Sequence, residues 1–332
     1  MKLKDLGEFG LIERFSEKYF SESLSDGFLG IGDDCAVIPA LGGDFLVSTD
    51  LLTENVHFIK DEIGGEMLGK KSLAVNLSDL AASGATPVAS FLSIAIPPET
   101  DTEFLDLFFK GYAFWSKKFN CPLLGGDTTK SAGGLTINVT VIGKAKNKKL
   151  RSGAKPGDVI CVTGFLGDSA AGLEFVIDPK KKRDKNAEYF ISRHHNPEPR
   201  ISEGKFLADF QSVHAMMDIS DGISSDLKHI MKASEVSAVV ELDKLPLSPL
   251  MTECYSLRDA YSFATSGGED YELLLTVDSK KFAEISEKFE KKFSKPLYAI
   301  GTITEKKSTE IVFLENSFSV NGFSNGFDHF TA

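Results

Sequence analysis

The spacing of hydrophobic positions changes repeatedly along the chain, so that stretches with the period of a strand alternate with stretches with the period of a helix. In the first half, strands are predicted at 45–52, 89–97 and 135–145. Helices are predicted at 9–20, at 68–83 before the turn at 84–87, and at 101–119. In the second of these helices, Asn76, Asp79 and Ser83 share one face, because residues three and four apart are neighbours on a helix.

The second half repeats this alternation. Strands are predicted at 159–164, 215–220, 237–242, 271–277, 298–304 and 311–315. Helices are predicted after a glycine turn at 165–177, and at 221–234 and 279–293. Alternating strands and helices are typical of α/β folds in which helices and sheets form layers. The basic, Gly/Pro-containing segment 147–158 is the predicted boundary, which divides the chain into an N-terminal domain, 1–148, and a C-terminal domain, 149–332.

Composition narrows the class of protein. The 332 residues are 42% hydrophobic and 26% charged, as in soluble globular proteins, and no apolar run is long enough to predict a membrane span. The net charge of −11 argues against a nucleic-acid partner, and the one basic run, 180–185, is expected to be a solvated loop. The start of the chain has no secretory-signal pattern. The four cysteines form no C-x-x-C pair, Cys121 and Cys161 are expected to be buried thiols, and a reducing cytoplasm fits best.

Several aspartates share one local context, since each follows an apolar run and has Gly, Ser or Thr nearby. They are Asp33, Asp34, Asp50, Asp79, Asp127, Asp218 and Asp221. Any one of them alone is more often a helix cap or a turn former than a site residue. Together they indicate a site, because the ends of strands are where α/β proteins place their ligands.

If these carboxylates converge, they need either raised pKa values or bound cations. Oxygen ligands without a His or Cys pattern favour Mg²⁺, which commonly joins one or two carboxylates to substrate phosphates. The chain has neither a G-x-x-x-x-G-K-[ST] loop nor the protein-kinase signatures, so any nucleotide chemistry would depend on aspartates and metal. Arg151 is the first basic candidate for a phosphate contact, although an isolated arginine in a linker is more often solvated.

An ordered set of motifs resembles the thiamine-monophosphate kinases and covers nearly the whole chain. These motifs are GEFGLI, GIGDDCAVI, STDLLTENVHF, KSLAVNLSDLAASGATP, LLGGDTT, RSGAKPGD, DISDGISSDL, SGGEDYELLLTV and the terminal GFDHF. Parts of the set are shared with aminoimidazole ribonucleotide synthetase, selenophosphate synthetase and the hydrogenase-maturation dehydratase. The VHF after STD, the NLSDLAA stretch and the terminal GFDHF favour the thiamine enzymes.

The resemblance implies two α/β domains whose N-terminal sheets pair in a homodimer, and transfer of a phosphoryl group from ATP to thiamine monophosphate. It implies a site divided between both domains. The implied Mg²⁺ ligands are Asp34, Ser48, Thr49, Asp50, Asp79, Asp127, Asp218 and Asp221. The implied ATP contacts are Lys110, Gly126, Asp127, Arg151 and Ser220. The implied thiamine monophosphate contacts are His57, Glu269 and Phe327.

Other interpretations stay open for individual residues. His57 has apolar neighbours and suits a core histidine, Glu269 suits a turn, and Asp33 suits either a ligand or a turn. The adenine-side segment does not decide between Lys110 and Tyr112. The segment 193–200 looks like a phosphate clamp, but its prolines predict an exposed turn.

Two rival functions also stay open. The first is another ATP-dependent enzyme of the superfamily, such as aminoimidazole ribonucleotide synthetase, which would activate an amide oxygen. The second is a nucleotide-sensing module without catalysis, which would need fewer metal ligands than this chain offers. The expected reaction needs no dedicated base, because its acceptor is already an anionic phosphate, and bringing two anions into line is a problem of positioning and charge neutralisation.

Overall fold

The computed structural model describes residues 27, 29, 31–178, 180–181 and 183–323. The helix predicted at 9–20 and the predicted contact Phe327 lie outside these residues. Within them the chain forms two mixed α/β layered regions, each built on one sheet, which confirms the predicted fold class. The predicted domain limits, 1–148 and 149–332, stay a prediction.

The first region carries a five-stranded sheet of order β1-β2-β5-β3-β4. Only β3 and β4 pair in parallel, and the other neighbours are antiparallel. The elements in chain order are β1 (Ala36–Ile38), β2 (Asp44–Thr53), α1 (Lys60–Ala82), β3 (Thr86–Ile96), α2 (Thr102–Lys118), β4 (Leu123–Lys130) and β5 (Thr136–Ala145).

The second region carries a seven-stranded sheet of order β12-β11-β8-β10-β6-β9-β7, in which only β11 and β8 pair in parallel. Its strands are β6 (Val159–Val162), β7 (Val213–Asp218), β8 (Ser237–Glu241), β9 (Leu273–Val277), β10 (Tyr298–Thr304), β11 (Val312–Glu315) and β12 (Phe318–Val320). Its helices are α3 (Asp168–Ile177), α4 (Lys185–His195), α5 (Ile201–Ala208), α6 (Ile223–Ser234), α7 (Pro249–Cys254), α8 (Leu257–Ser266) and α9 (Ser279–Phe293), with a short 3₁₀ helix at Leu242–Lys244.

Helix α1 joins the two regions. Its side chains are buried almost all round, and one hydrophobic core continues from Leu73 and Leu77 of this helix to Met216 of β7 and Leu275 of β9. A helix that is buried on nearly every side must be enclosed by other elements, and α1 accordingly lies between the sheets. A second core lies on the other face of the seven-stranded sheet, beneath α6. The enclosed position of α1 lets its polar residues reach both regions.

The outer face of the five-stranded sheet is exposed. Leu51 on β2 is 53% exposed and Phe91 on β3 is 37% exposed, while every residue of the edge strand β4 is exposed, including Leu124 at 64%. Soluble proteins usually cover or charge such edges and apolar faces. This face therefore has the features of an interaction surface.

Most predicted elements are present close to their predicted bounds, and α9 begins and ends at the predicted residues. Helices α4, α5, α7 and α8 had no counterpart in the sequence analysis. The prediction of an exposed turn at 193–200 is wrong, since His194 and His195 end helix α4 and are buried. Cys121 and Cys161 are buried, as predicted. Across the part of the chain that the structure describes, every helix is too short or too polar to cross a bilayer.

Candidate active site

A cavity of about 610 Å³ lies between the two regions of the fold. The first region contributes α1, β2 and the loop with Asp33 and Asp34, and the second contributes β7, α3, α4 and the turn at 266–271. Both regions of the fold therefore contribute to its walls. Its lining includes two clusters of polar side chains. The cluster around the carboxylates of Asp34, Asp79 and Asp218 is called the acidic end below. The cluster around Glu269, with His194 and His57, is called the Glu269 end.

Three carboxylates from distant segments meet at the acidic end. One oxygen each of Asp34, Asp79 and Asp218 lies within 4.8 Å of the other two. Asp34 precedes β1, Asp79 lies in the last turns of α1, and Asp218 ends β7. Asp33, Asp50 and Asp221 line the same cavity. The convergence that the sequence predicted therefore occurs for six of the seven aspartates.

Neighbouring hydroxyl groups fix two of the three carboxylates. The Ser78 hydroxyl donates to Asp218 Oδ2 over 2.5 Å, and the Ser48 hydroxyl donates to Asp79 Oδ2. Ser78 lies on α1, so its bond to Asp218 joins the two regions of the fold. These hydroxyls hold the carboxylates in place without adding a compensating positive charge.

Burial and mutual repulsion raise the pKa values of the carboxylates at the acidic end. Burial and the Asp34 charge raise the pKa of Asp218 to about 7, and burial raises that of Asp50 to about 6. Burial, together with Asp50 and Asp218, raises the pKa of Asp79 well above its usual range. Raised values in one cleft are a common sign of a functional site. A cation bound here would reverse these shifts by stabilising the charged forms.

Arg151 is a basic side chain that touches this cluster. Its Nη2 atom lies 2.7 Å from Asp34 Oδ1, and its backbone N–H donates to Asp33 Oδ2. Its side chain is 18% exposed, so it is not the solvated linker arginine of the alternative interpretation. Asp33 also accepts from the Asp34 N–H, which means that it shapes the turn as well as lining the cavity.

The DISDG turn is held by a residue that the sequence analysis missed. Asp226 is 1% exposed, and its Oδ2 atom accepts the backbone N–H groups of both Ser220 and Asp221. The residue preceding α6 is Gly222, which offers no side-chain cap, so neither Asp218 nor Asp221 caps this helix. Asp218 is therefore not the cap of this helix. The one local sign of Asp226 was its carboxylate, which follows Asp221 by five residues.

The Glu269 end combines one ion pair with histidines and an apolar wall. Glu269 Oε2 lies 2.9 Å from the Lys71 ammonium and 3.1 Å from His194 Nδ1. His57 is half-buried, lines the cavity and accepts the Thr53 N–H at Nδ1, so it combines a structural bond with a position in the site. Leu173 and Ile177 of α3 form the apolar wall. Lys71 and His194 were not predicted, because nothing in their local sequence shows that they lie together.

The remaining predicted site residues differ in their relation to the cavity. Thr49 is among the residues that line it, but its hydroxyl bonds to Thr140 and to the Val139 carbonyl on β5, on the opposite face of β2 from Asp50. Gly126 and Asp127 are exposed on β4. Their strand is separated from β2 by β5 and β3, so they lie three strand spacings, or about 14 Å, from Asp50 in this chain.

The two candidates for the adenine side differ in exposure. The Lys110 side chain is 66% exposed on α2 and its ammonium lies 2.6 Å from Glu66 Oε2. Tyr112 is 2% exposed and packs against Phe108. Tyr112 is therefore a core residue in this chain, while an ATP contact by Lys110 stays a prediction.

Comparison with known families assigns the class. The model for the N-terminal domain of AIR synthase related proteins matches residues 32–145, and the model for their C-terminal domain matches residues 155–313. The two sheets and the acidic cavity between them thus define a protein of the AIR synthase related class. A crystal structure of a HypE–HypF complex, with a TM-score of 0.73 at 18% identity over 92% of this chain and 95% of that chain, shows the shared fold.

Full-length relatives narrow the class further. This chain is 40% identical to a thiamine-monophosphate kinase of Haemophilus influenzae over 98% of both proteins, and 34% identical to that of Bacillus subtilis over 98% of this chain and 100% of the other. The chain belongs to the thiamine-monophosphate kinase family. A solved structure described as AaThiL complexed with AMPPCP and TMP aligns over 99% of both chains, with a TM-score of 0.85 and 30% identity.

Proposed function

We propose that this protein transfers the terminal phosphoryl group of ATP to thiamine monophosphate, giving ADP and thiamine diphosphate by direct in-line transfer. The observation that carries the proposal is the meeting of Asp34, Asp79 and Asp218 at one end of a cavity whose other end carries Glu269 and His57. One end suits metal-held phosphates and the other suits an organic acceptor. The relative described with AMPPCP and TMP supports the same pair of ligands.

The residues present fit Mg²⁺. The donors at the acidic end are carboxylates and hydroxyls, which are the oxygen ligands that this ion prefers. Asp34 Oδ2 is buried and has no hydrogen-bond partner among the described residues, which is the expected state of an oxygen reserved for a cation. Asp34, Asp79 and Asp218 would hold the metal with Ser48, Asp50 and Asp221 nearby. When bound, Mg²⁺ would neutralise phosphate charge and orient the two phosphates.

The chain's own groups would position the reactants. The phosphate oxygen of the acceptor is already an anion, so no side chain is needed as a base, and positioning supplies most of the rate in such reactions. The Arg151 guanidinium faces the cavity beside Asp34 and would contact ATP phosphates, as would Ser220 on the turn held by Asp226. Contacts of ATP with Lys110, Gly126 and Asp127 stay predictions from the family resemblance.

The Glu269 end would bind thiamine monophosphate. Its apolar wall of Leu173 and Ile177 suits an aromatic ring, and the Glu269 carboxylate suits a cationic one. His57 would contact the same ligand. The contact expected from Phe327 lies outside the described residues and stays a prediction.

We also propose that the protein acts as a homodimer in the cytoplasm. Pairing of the exposed outer faces of two five-stranded sheets would cover Leu51, Phe91 and the edge strand β4. It would also bring Gly126 and Asp127, which are exposed on β4, close to a second protomer. The free, buried thiols of Cys35, Cys121 and Cys161 fit a reducing compartment.

Sedimentation tests the dimer. Wild-type protein at micromolar concentration should sediment as a species with twice the 36.1 kDa mass of the chain. Phe91→Lys places a charge in the proposed interface and should shift the protein towards the single chain. Leu41→Lys is the matched control, because Leu41 is 99% exposed in a turn outside this face. A wild-type protein that sediments only as the single chain would rule the dimer out.

An ADP-release assay with a panel of acceptors tests the reaction. ADP should form with Mg²⁺, ATP and thiamine monophosphate, and thiamine diphosphate should appear in equal amount. Unphosphorylated thiamine should fail, because its hydroxyl is not an oxyanion that a metal can hold. Turnover of an amide-containing ribonucleotide instead would indicate the aminoimidazole ribonucleotide synthetase reaction, and binding without any turnover would indicate a sensor.

A further inference from the structure

Lys71 is a buried charge that the proposed reaction does not use. It lies on α1, its side chain is 0% exposed, and Glu269 is the one carboxylate that pairs with it in the part of the chain that the structure describes. A buried ammonium is costly unless it is paired and hydrogen-bonded. Lys71 lies on α1 and Glu269 lies in the second region of the fold, so their contact depends on the two regions packing together.

Glu269 is also restrained by its backbone. Its φ angle is 64°, a left-handed conformation that is unfavourable for a residue with a side chain. The Glu269 N–H donates to the Ser220 carbonyl over 2.7 Å, and a Cβ atom at the neighbouring Gly268 would lie 2.3 Å from that same oxygen. The GGED turn, residues 267–270, thus packs closely against the turn that carries Ser220 and Asp221. The Glu269 carboxylate is thus restrained both by its backbone and by its contact with Lys71.

His194 completes this arrangement from α4. Its Nδ1 atom lies 3.1 Å from Glu269 Oε2 and 3.1 Å from the Ser169 hydroxyl. Burial and the nearby Lys71 lower the pKa of His194 to about 3, so the imidazole is neutral near pH 7. The ion pair of Lys71 and Glu269 is therefore balanced without His194, and the carboxylate is not a free negative charge.

We propose that Lys71 is a positioning residue that fixes the direction and balances the charge of Glu269, so that Glu269 recognises the acceptor as an oriented hydrogen-bond acceptor. This inference rests on the proposed role of the Glu269 end in binding thiamine monophosphate. It assigns acceptor recognition partly to a residue that does not line the cavity. ATP, which is expected at the acidic end, should not depend on Lys71.

Lys71→Met separates these expectations. It removes the charge and keeps an unbranched apolar stem, so Glu269 loses its restraint. The KM for thiamine monophosphate should rise about 10-fold or more, the scale of one hydrogen bond to a charged group. The KM for ATP should change by no more than about two-fold, since the acidic end is untouched. A purely structural role would instead lower the melting temperature and the active fraction and leave both KM values unchanged.

Lys70→Met is the matched control on the same helix. Lys70 pairs with Glu66 over 3.4 Å and lies over the Phe114 ring, away from the cavity, so the same substitution there should leave both KM values unchanged. Glu269→Gln with and without Lys71→Met supplies a test that does not depend on the single lysine variant folding. If Lys71 acts through Glu269, adding Lys71→Met to Glu269→Gln should not raise the acceptor KM further.

The outcomes separate two failures. If wild-type protein neither binds nor phosphorylates thiamine monophosphate, the proposed function is wrong and this inference falls with it. Two results in an active wild-type protein would show that only the positioning role is wrong. One is a normal acceptor KM in Lys71→Met. The other is a double variant whose rise in acceptor KM is the product of the rises in Lys71→Met and Glu269→Gln. The positioning role is supported if Lys71→Met raises the acceptor KM, leaves the ATP KM unchanged and adds nothing to the effect of Glu269→Gln on the acceptor KM.

Discussion

The two ends of the cavity are both lined by carboxylates, but their charges are balanced in different ways. At the acidic end, Asp79 and Asp218 have only hydroxyl and carboxylate neighbours in the contacts described above, and burial raises the pKa of each. At the other end burial also disfavours the charged form of Glu269, but the paired Lys71 ammonium outweighs it and the pKa of Glu269 is lowered. The same chemical group therefore has a lysine partner at one end, whereas Asp79 and Asp218 have only hydroxyl and carboxylate partners in those contacts.

Removing one charge from the acidic end should have the largest effect on turnover. Asp218→Asn keeps the shape of the side chain and removes a proposed metal ligand. We expect kcat to fall on the order of 10²-fold or more, the scale seen when one preorganised electrostatic contact is lost. High Mg²⁺ should restore part of the activity. The measurement is ADP release over a range of Mg²⁺ concentrations.

Asp101→Asn is the control for this substitution. Asp101 is exposed at the start of α2, and its side chain makes no capping bond, so this variant should behave like wild type. Near-normal turnover of Asp218→Asn at limiting Mg²⁺ would show that Asp218 is not a ligand.

Removing the charge at the other end should instead affect stability. Glu269→Gln leaves the Lys71 ammonium buried beside a neutral partner, and breaking a buried ion pair costs about 3–5 kcal/mol. We expect the free energy of unfolding at pH 7 to fall by up to that amount, at any Mg²⁺ concentration. Denaturant unfolding measures the loss, and unchanged stability would mean that the pair contributes nothing.

The pH dependence of the metal-free protein should differ in sign between the two ends. Asp218 has a pKa of about 7 when folded, against 3.8 for the ordinary side chain. Between these values the folded state binds more protons than the unfolded state, so stability falls as pH rises from about 4 to about 7. Glu269 has the opposite shift, and its contribution is lost as pH falls below its ordinary value of 4.5.

Asp218→Asn removes the contribution of this one group. Without metal at pH 8, the variant should be more stable than wild type by at most about 4 kcal/mol, from about three pKa units. The difference should shrink as pH approaches 5. Melting temperatures across this range measure it, and a variant less stable than wild type at pH 8 would contradict the account of charge repulsion.

The sequence predicts the acidic end better than the Glu269 end for a physical reason. Aspartates at the ends of apolar runs mark strand and helix termini, so Asp34, Asp79 and Asp218 could be grouped from local pattern alone. Lys71 sits beside Lys70 in the sequence, and only the packing of α1 against the second region distinguishes its fully buried side chain from that of Lys70, which is 13% exposed. Long-range contacts of this kind leave no local signal.

The same limit explains the other differences. Segment 193–200 has two prolines and was predicted as an exposed turn, whereas Arg200 forms a buried ion pair with Glu272 and Pro197 and Pro199 are buried. Conversely, α9 shows a clear helical period with an exposed polar face, so its bounds were predicted correctly. Which strand lies next to which is also not visible in the pattern, and the sequence therefore did not reveal that Asp127 is separated from Asp50 by two strands.

The measurement that tests the central claim most directly is divalent-cation binding to the wild type, Asp218→Asn and Glu269→Gln. Equilibrium dialysis with Mg²⁺ and a non-hydrolysable ATP analogue compares the three proteins under one condition. The account predicts that wild type and Glu269→Gln bind Mg²⁺ alike, whereas Asp218→Asn binds it at least about 10-fold more weakly, the scale of losing one contact to a charged group. Equal Mg²⁺ binding by all three, or a loss confined to Glu269→Gln, would contradict it.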